Sequence, residues 1–491
     1  MHKIRLMAPL VQGQTVTFQW DVEPASPLYK RTHFTISFPS NVDLSKVPER
    51  LWWDILLICL HPHWLLLRPC EVHLPLKLGA ALRQFWLQLL QNGADTLDVD
   101  GPLQNATSLG ITIVDGDLHV PYRTIAGSGC GTSFSGGKDS LLQAGLLLEL
   151  TERPLLVATT SPMPPLKDHI TARRRQVFEA IQTRKNPLFV ETQSDFRSAW
   201  NNSFPSHLGY RVAVNEITDT FLYTCSLLAV GAALGVTRLF VASEAEVQVN
   251  ALIGGKIVQH CHFMYSAATQ RSLARLLAPY GFKFGSLIWP LHSLHVQQLL
   301  WARYPNICDL QYSCWRVGEG QATCSQCEQC LRIAVTALEA GHDPQRMGID
   351  LFKVISFAST WEPIKKRVSA LRLPEHDASD AAALRVVGLI QGTSLTHLEQ
   401  TLARRHLGQS LQRDIRTTVE EFGRLQQRFH SSPRPQPIGV REAFFDWIDP
   451  DFRDTLFALY TSYFPLEPRH IHLDTYEHSR TLTMRATSSL D

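Results

Sequence analysis

The sequence predicts an α/β protein: a doubly wound parallel sheet preceded by an N-terminal α+β domain and followed by a mainly α-helical C-terminal region. Three observations predict it. Strand-like and helix-like segments alternate from about residue 126 to 345, the pattern of a parallel sheet covered on both faces. A glycine turn, Ser135-Gly136-Gly137-Lys138-Asp139-Ser140, joins the first of these strands to the first helix. Before residue 125 strands and helices are mixed, and after 345 helical periodicity prevails. Accordingly, residues 1–125 are assigned to a small accessory domain, 126–345 to the sheet domain and 346–491 to a helical accessory region.

At 491 residues the chain exceeds one ordinary domain. Its 44% hydrophobic and 19% charged residues describe a chain able to bury real cores. The formal net charge of +2 supplies no global attraction to nucleic acid or to an anionic membrane, so anion binding must be local. The start, Met1-His2-Lys3-Ile4-Arg5, lacks the apolar stretch of a signal peptide. The most apolar run, Leu51 to Leu67, is interrupted by Asp54, His61, Pro62 and His63, against a membrane-spanning helix. Ten cysteines without a secretion signal point to reduced thiols and a metal site in a cytoplasmic protein.

In chain order, Val16 to Trp20, Phe34 to Phe38 and Val72 to Leu76 read as strands, and Pro48 to Leu60 as a helix. Ala80 to Gln91 is a second helix, with Leu82, Phe85, Trp86, Leu89 and Leu90 on one face. The aromatics Trp52, Trp53, Trp64 and Trp86 could dock a partner or fill the core; core packing is the ordinary use of large aromatics. In the sheet domain the expected strands are Cys130 to Phe134, Leu155 to Thr160, Leu188 to Glu191, Arg238 to Ala242 and Phe284 to Trp289. The helices between and after them are Leu141 to Leu150, Thr171 to Thr183, Glu216 to Leu234, Gln270 to Ala278 and Val296 to Arg303. Beyond 345, Ala381 to Ile390, Leu395 to Arg405 and Asp414 to Phe429 are helical, and Ser431 to Pro437 is a proline-rich break. An aromatic helical piece follows, from Phe444 to Tyr460, and the residues after about Glu477 form a frayed tail.

The turn at 135–140 carries the first chemical signal. Two glycines let the backbone approach a ligand without Cβ interference, and the N–H groups opening a helix favour an anion. Ser135 and Ser140 add hydroxyls. A Walker A loop is excluded, because Thr132 occupies its first glycine position and Asp139 replaces its closing Ser/Thr; the dinucleotide fingerprint likewise meets Thr132 where its third glycine belongs. What remains is SGGxDS, which resembles the signature of the PP-loop ATP pyrophosphatases.

The second signal is Cys314 followed, ten residues later, by Cys324-x-x-Cys327-x-x-Cys330. Four thiolates can close a tetrahedral shell around Zn²⁺, and an iron–sulfur cluster could use the same ligands. Spacing and compartment place zinc ahead, in a closed structural site. Cys308 is a lesser candidate ligand. Cys59, Cys70, Cys130, Cys225 and Cys261 read as buried small hydrophobes, with Cys130 or Cys225 open to a catalytic role.

Together, SGGKDS, Ser313-Cys314-Trp315 and the cysteine triplet resemble QueC, the 7-cyano-7-deazaguanine synthase family, over residues 126–345. The resemblance implies that Ser135, Gly136, Gly137, Asp139 and Ser140 hold the pyrophosphate of ATP and that Asp139 helps place Mg²⁺. It implies that a 7-deazaguanine carboxylate attacks the α-phosphate, giving an acyl-adenylate that an amine then resolves with loss of AMP. Glu244, at a strand end, corresponds to an acidic residue near the nucleobase in QueC-like proteins; the alternative is an exposed loop acid. Lys138 could serve the phosphates in catalysis or point to solvent. Arg173-Arg174-Arg175 could reach phosphates or form a solvated helix face. Arg211 is another anion candidate.

The sequence departs from queuosine-pathway QueC in two places. Its Pro-Gly-Arg-Asn loop is replaced by Val214-Asn215-Glu216-Ile217-Thr218-Asp219, and Ala245 to Lys256 lacks the usual residues. Altered pockets with large flanking segments resemble the QueC-like proteins of phage-defence operons, of the Qat and type IV CBASS kinds. That resemblance implies a partner protein as the amine acceptor. Free nitrile synthesis from ammonia, a silent nucleotide-binding scaffold, and tRNA thiolation are the competing readings, the last disfavoured by the absence of a basic surplus.

Overall fold

The computed structural model describes residues 1–97, 108–160, 166–182, 186–210, 212–245, 251–253, 256–258, 265–312, 314, 323–339, 342–350, 353–354 and 439–467. The helices expected between 381 and 429, the break at 431–437, the tail, Arg211, Cys261, Ser313 and Trp315 lie outside these residues, as do parts of Ala245 to Lys256.

Residues 1–118 supply strands β1 (His2–Leu6), β2 (Leu10–Gln12), β3 (Thr15–Glu23), β4 (His33–Ser37), β5 (Cys70–Leu76) and β6 (Ile111–Leu118), with helices α1 (Glu49–Leu66) and α2 (Gly79–Leu97). The middle of the chain follows with β7 (Cys130–Ser133), α3 (Lys138–Leu150), β8 (Leu155–Thr160), α4 (Leu166–Gln182), β9 (Leu188–Ser194), α5 (Phe204–His207), α6 (Val214–Leu234) and β10 (Arg238–Phe240). A small hairpin, β11 (Ala251–Ile253) and β12 (Lys256–Val258), precedes α7 (Ala267–Leu277), β13 (Lys283–Gly285), α8 (Ser293–Arg303), α9 (Pro305–Cys308) and α10 (Glu328–Glu339). The last described segment contains β14 (Val440–Arg441), α11 (Pro450–Tyr463) and β15 (Leu466–Glu467).

The fold is α/β, but the sheet is mixed and mostly parallel where a purely parallel one was expected. Its order is β13-β10-β7-β8-β9-β4-β3-β1-β5-β6, with β2 on β3. Strands β13, β10, β7, β8 and β9 are all parallel neighbours. At β9 the polarity reverses, because β4 joins it antiparallel through Ile36↔Ser194 and Ser37↔Gln193. Asp195 pins that seam, accepting from Thr35 N (2.7 Å) and pairing with Arg31 Nη1 (2.9 Å). Residues 1–125 and the sheet domain therefore share one sheet.

The strand patterns explain the two halves. All six residues of β8 are buried, as in a strand covered on both faces: Leu155 and Val157 enter one core and Leu156 the other. β3 alternates instead, burying Val16, Phe18, Trp20 and Val22 while Thr15, Thr17, Gln19 and Asp21 face outward. One core, beneath α1, α2, α6 and α7, runs through both halves; the other lies beneath α3, α8, α10 and α11. Trp52, Trp53, Trp64 and Trp86 all lie in the first core. Among the described residues α6 alone is long and apolar enough to cross a membrane (mean hydropathy 1.5), and 83% of that window is buried, as in a core helix.

Several expected boundaries differ: α1 and α2 run on to Leu66 and Leu97, past the expected Leu60 and Gln91, and β10 closes at Phe240, not Ala242. The last parallel strand ends at Gly285, not Trp289: Ser286 accepts from Ile288 N and turns the chain away. The segment 439–467 packs across that edge, with Trp447 edge-to-face on Trp289 and Tyr460 Oη donating to Leu287 O (2.9 Å). Arg238 and Lys283 pair with Asp449 and Asp451, which ties this segment to β10 and β13.

Candidate active site and candidate metal centre

Strands in the parallel half run, in space, 9-8-7-10-13, so the order reverses between β7 and β10. In such sheets ligands bind beyond the carboxyl ends of the strands at this switch point. The 135–140 turn leaves β7 there, and Glu244 follows β10 there. Sequence position alone does not make them neighbours; the sheet does.

Gly136 has φ of +81°, a left-handed conformation open to glycine, whereas Gly137 is extended as the N-cap of α3 (φ −74°, ψ 166°). Two carbonyls of the turn are held from outside. Arg174 Nε donates to Ser135 O (3.1 Å), and Tyr312 N donates to Gly136 O (2.6 Å). A trans peptide directs its N–H opposite to its C=O. Holding these carbonyls outward therefore turns the N–H groups of Gly136 and Gly137 inward. In this structure the serine hydroxyls fill that concavity: Ser135 N and Gly136 N donate to Ser140 Oγ (3.2 and 3.1 Å), and Gly137 N donates to Ser135 Oγ (3.3 Å). The turn's three N–H groups thus meet two hydroxyl oxygens, Ser140 Oγ and Ser135 Oγ, 3.0 Å apart, and the turn opens to a pocket of about 120 Å³. Ser135, Asp139, Ser140, Thr159, Arg174, Tyr223, Ala242 and Tyr265 line that pocket.

Lys138 is 6% exposed, so it does not point to solvent. Its Nζ donates to Asp139 Oδ1 and to Glu244 Oε2 (2.9 Å). Burial alone would lower its pKa, but Asp139 and Glu244 together hold it above the ordinary lysine value. Glu244 is itself only 15% exposed at the side chain, so it is a member of the cleft. Its loop is set by residues the sequence reading did not single out. Ser243 N donates to Ser286 Oγ (3.1 Å), Ser286 Oγ donates to Ser243 O (2.8 Å), and Ser243 Oγ donates to Tyr265 O (2.9 Å). Gln143 of α3 ties the other wall, donating to Thr132 Oγ1 (2.7 Å) and accepting from Leu287 N (3.0 Å). Of these, only a glutamine within the apolar run Leu141 to Leu148 was visible as an anomaly in the sequence.

The arginine run separates in three dimensions: Arg175 is exposed and Arg174 is buried against the turn. Cys130 and Cys225 are buried thiols whose pKa values are pushed up by burial, Cys130 to about 11, the opposite of an activated nucleophile.

The four cysteines meet. Their sulfurs lie within 4.8 Å of one another, with Cys314–Cys327 and Cys324–Cys330 at 3.8 Å and Cys327–Cys330 at 3.4 Å. A tetrahedron with Zn–S bonds of about 2.3 Å has edges of about 3.8 Å. The donor set thus fits a single ion such as zinc, and is tighter than a multi-iron cluster requires. Without an ion, hydrogen bonding to Cys314 is the leading effect raising both the Cys327 thiol, to about 12, and the Cys330 thiol. The knuckle turns at Ser325, a non-glycine with φ of +53°, whose Oγ accepts from Asp350 N (2.8 Å). Cys308 stands apart, donating to Pro305 O. The centre abuts the glycine turn through Tyr312, two residues before Cys314.

Compared with family models, with curated proteins and with solved structures, the chain finds no match. Its site is therefore read from its own residues.

Proposed function

We propose that this protein is a QueC-like, ATP-dependent enzyme that activates a 7-deazaguanine carboxylate with release of pyrophosphate and passes the acyl group to an amine. The observation that carries the reading is the convergence, at the reversal of strand order, of a donor-lined turn, a buried lysine and two carboxylates.

A carboxylate is a poor acyl donor because oxide is its leaving group; joined to AMP it becomes reactive. The protein's share is electrostatic. The N–H groups of Gly136 and Gly137 are already turned inward, so they meet growing phosphate charge without reorganisation. For that, phosphate oxygens must take the places of the Ser140 and Ser135 hydroxyls. Lys138 can release one of its two carboxylates and follow the phosphates. Asp139 and Glu244 offer the oxygen ligands that Mg²⁺ prefers, and the ion when bound neutralises phosphate charge. The four cysteines would hold zinc as a closed centre bracing Tyr312. Tyr223 and Tyr265 supply apolar wall, which excludes the water that would hydrolyse an adenylate.

The acceptor amine is assigned to a partner protein, following the resemblance to defence-operon proteins. Incubation with ATP, Mg²⁺ and 7-carboxy-7-deazaguanine should release AMP and pyrophosphate, and Asp139→Ala should abolish both. Intact-mass measurement of the partner would show the added acyl group. Free nitrile with an unmodified partner would assign the small-molecule route, and nucleotide binding without AMP release would make the protein a scaffold.

A further inference from the structure

Among the described residues the buried guanidinium of Arg174 has no carboxylate at ion-pair distance, and Glu191 acts on it only from further away. Arg174 is 9% exposed and lines the pocket beside the turn. Its hydrogen bonds run to two main-chain carbonyls, from Nε to Ser135 O and from Nη1 to Thr159 O, each 3.1 Å. Among the described residues no carboxylate pairs with it. Another buried arginine does have one: Arg50 pairs with Asp54 (3.4 Å). Burial lowers the Arg174 pKa, with Tyr223 and Glu191 pulling the other way. Carbonyl oxygens satisfy the donors of a guanidinium but do not cancel its charge, and an uncompensated buried charge is costly. Such a charge is retained where a ligand supplies the opposite sign.

We propose that Arg174 is a phosphate-binding residue of this pocket, its missing counter-ion being a phosphate group of a nucleoside triphosphate or of the pyrophosphate it releases. The inference rests on the reading above for the presence of phosphate, but not on the acyl chemistry. It separates Arg174 from its neighbour Arg175, which faces solvent. Arg174 lines the same pocket as Ser135, Asp139 and Ser140, so one polyphosphate can meet both the guanidinium and the turn.

The test is calorimetric titration of the full chain with Mg²⁺–pyrophosphate and Mg²⁺–ATP, at two salt concentrations. A charge-assisted contact of this kind predicts a loss of roughly 10- to 100-fold in affinity for Arg174→Gln. Arg174→Lys keeps the charge and should lose less than about 10-fold, and Arg175→Gln should bind as wild type. Thermal melting without ligand reports folding; a Gln variant that fails to fold leaves the Lys variant to decide, with a loss above about 10-fold overturning the proposal. Equal losses in the Gln and Lys variants would make Arg174 a positioning residue that only holds the turn, and the proposal would fall. If wild type binds, Ser135→Ala weakens binding and Arg174→Gln does not, the Arg174 inference alone fails. If wild type binds neither probe, the functional reading fails with it.

Discussion

Gly136 and Gly137 are adjacent and chemically identical, yet the structure gives them different reasons to be glycine. At Gly136 a Cβ would meet nothing closer than Arg174 Cγ at 3.6 Å and Tyr312 Cβ at 3.8 Å. Space is therefore not the obstacle to alanine. The obstacle is φ of +81°, which costs an L-residue about 1–2 kcal/mol. At Gly137 the extended torsions suit any residue. There, alanine is a weaker N-cap than glycine, but it also lowers the entropy of the unfolded chain by about 0.4–1 kcal/mol. The two effects nearly cancel, leaving a net change within about 0.5 kcal/mol. Gly136→Ala should thus lower the unfolding midpoint, and Gly137→Ala should leave it nearly unchanged. The assay is urea unfolding followed by tryptophan fluorescence, with the slope unchanged in both variants. If the turn relieves the strain by flipping a peptide, Gly136→Ala should also weaken Mg²⁺–ATP binding by about tenfold, the equivalent of 1.4 kcal/mol. A Gly136→Ala protein as stable as wild type, or equal destabilisation at both positions, would refute the assigned backbone geometry.

Three further outcomes are expected. Purified protein should carry one zinc, Cys330→Ser should lose it, and cobalt substitution should give the absorption of a tetrahedral four-thiolate site; an iron–sulfur spectrum would contradict the sulfur geometry. His61 and His63 are fully buried, and burial depresses each pKa from 6.5 to about 3. Both are neutral when folded, so their contribution is complete above pH 6.5 and is lost as pH falls toward 3, where the unfolded chain binds more protons. His63→Phe, among Tyr29, Phe196 and Trp200, should reduce the slope of stability against pH in that window by about 1.4 kcal/mol per unit; an unchanged slope would show that the ring is not neutral or not buried. Finally, Lys138→Met and Glu244→Gln should be non-additive, with a coupling of about 0.5–3 kcal/mol in unfolding free energy; simple additivity would mean that the two side chains do not pair.

What the sequence by itself determined is local. The 3.6-residue periodicity and the glycine turn belong to short windows, so α3, α6, the strands β3 to β5 and the strands β7 to β10 were legible within a few residues, whereas α1 and α2 run further than expected and β1 and β6 were missed. The cysteine spacing predicted a centre because three of its ligands share one knuckle. Tertiary structure decided what depends on pairing across distance. That β4 docks antiparallel on β9, across more than 150 residues, fuses the N-terminal segment to the sheet; edge hydrogen bonds leave no mark on the pattern of either strand. The same holds for Lys138 and Glu244, 106 residues apart, which meet because β7 and β10 are neighbours. Arg174 and Arg175 look alike in one dimension, but about 100° of helical rotation per residue turns one into the pocket and the other to solvent.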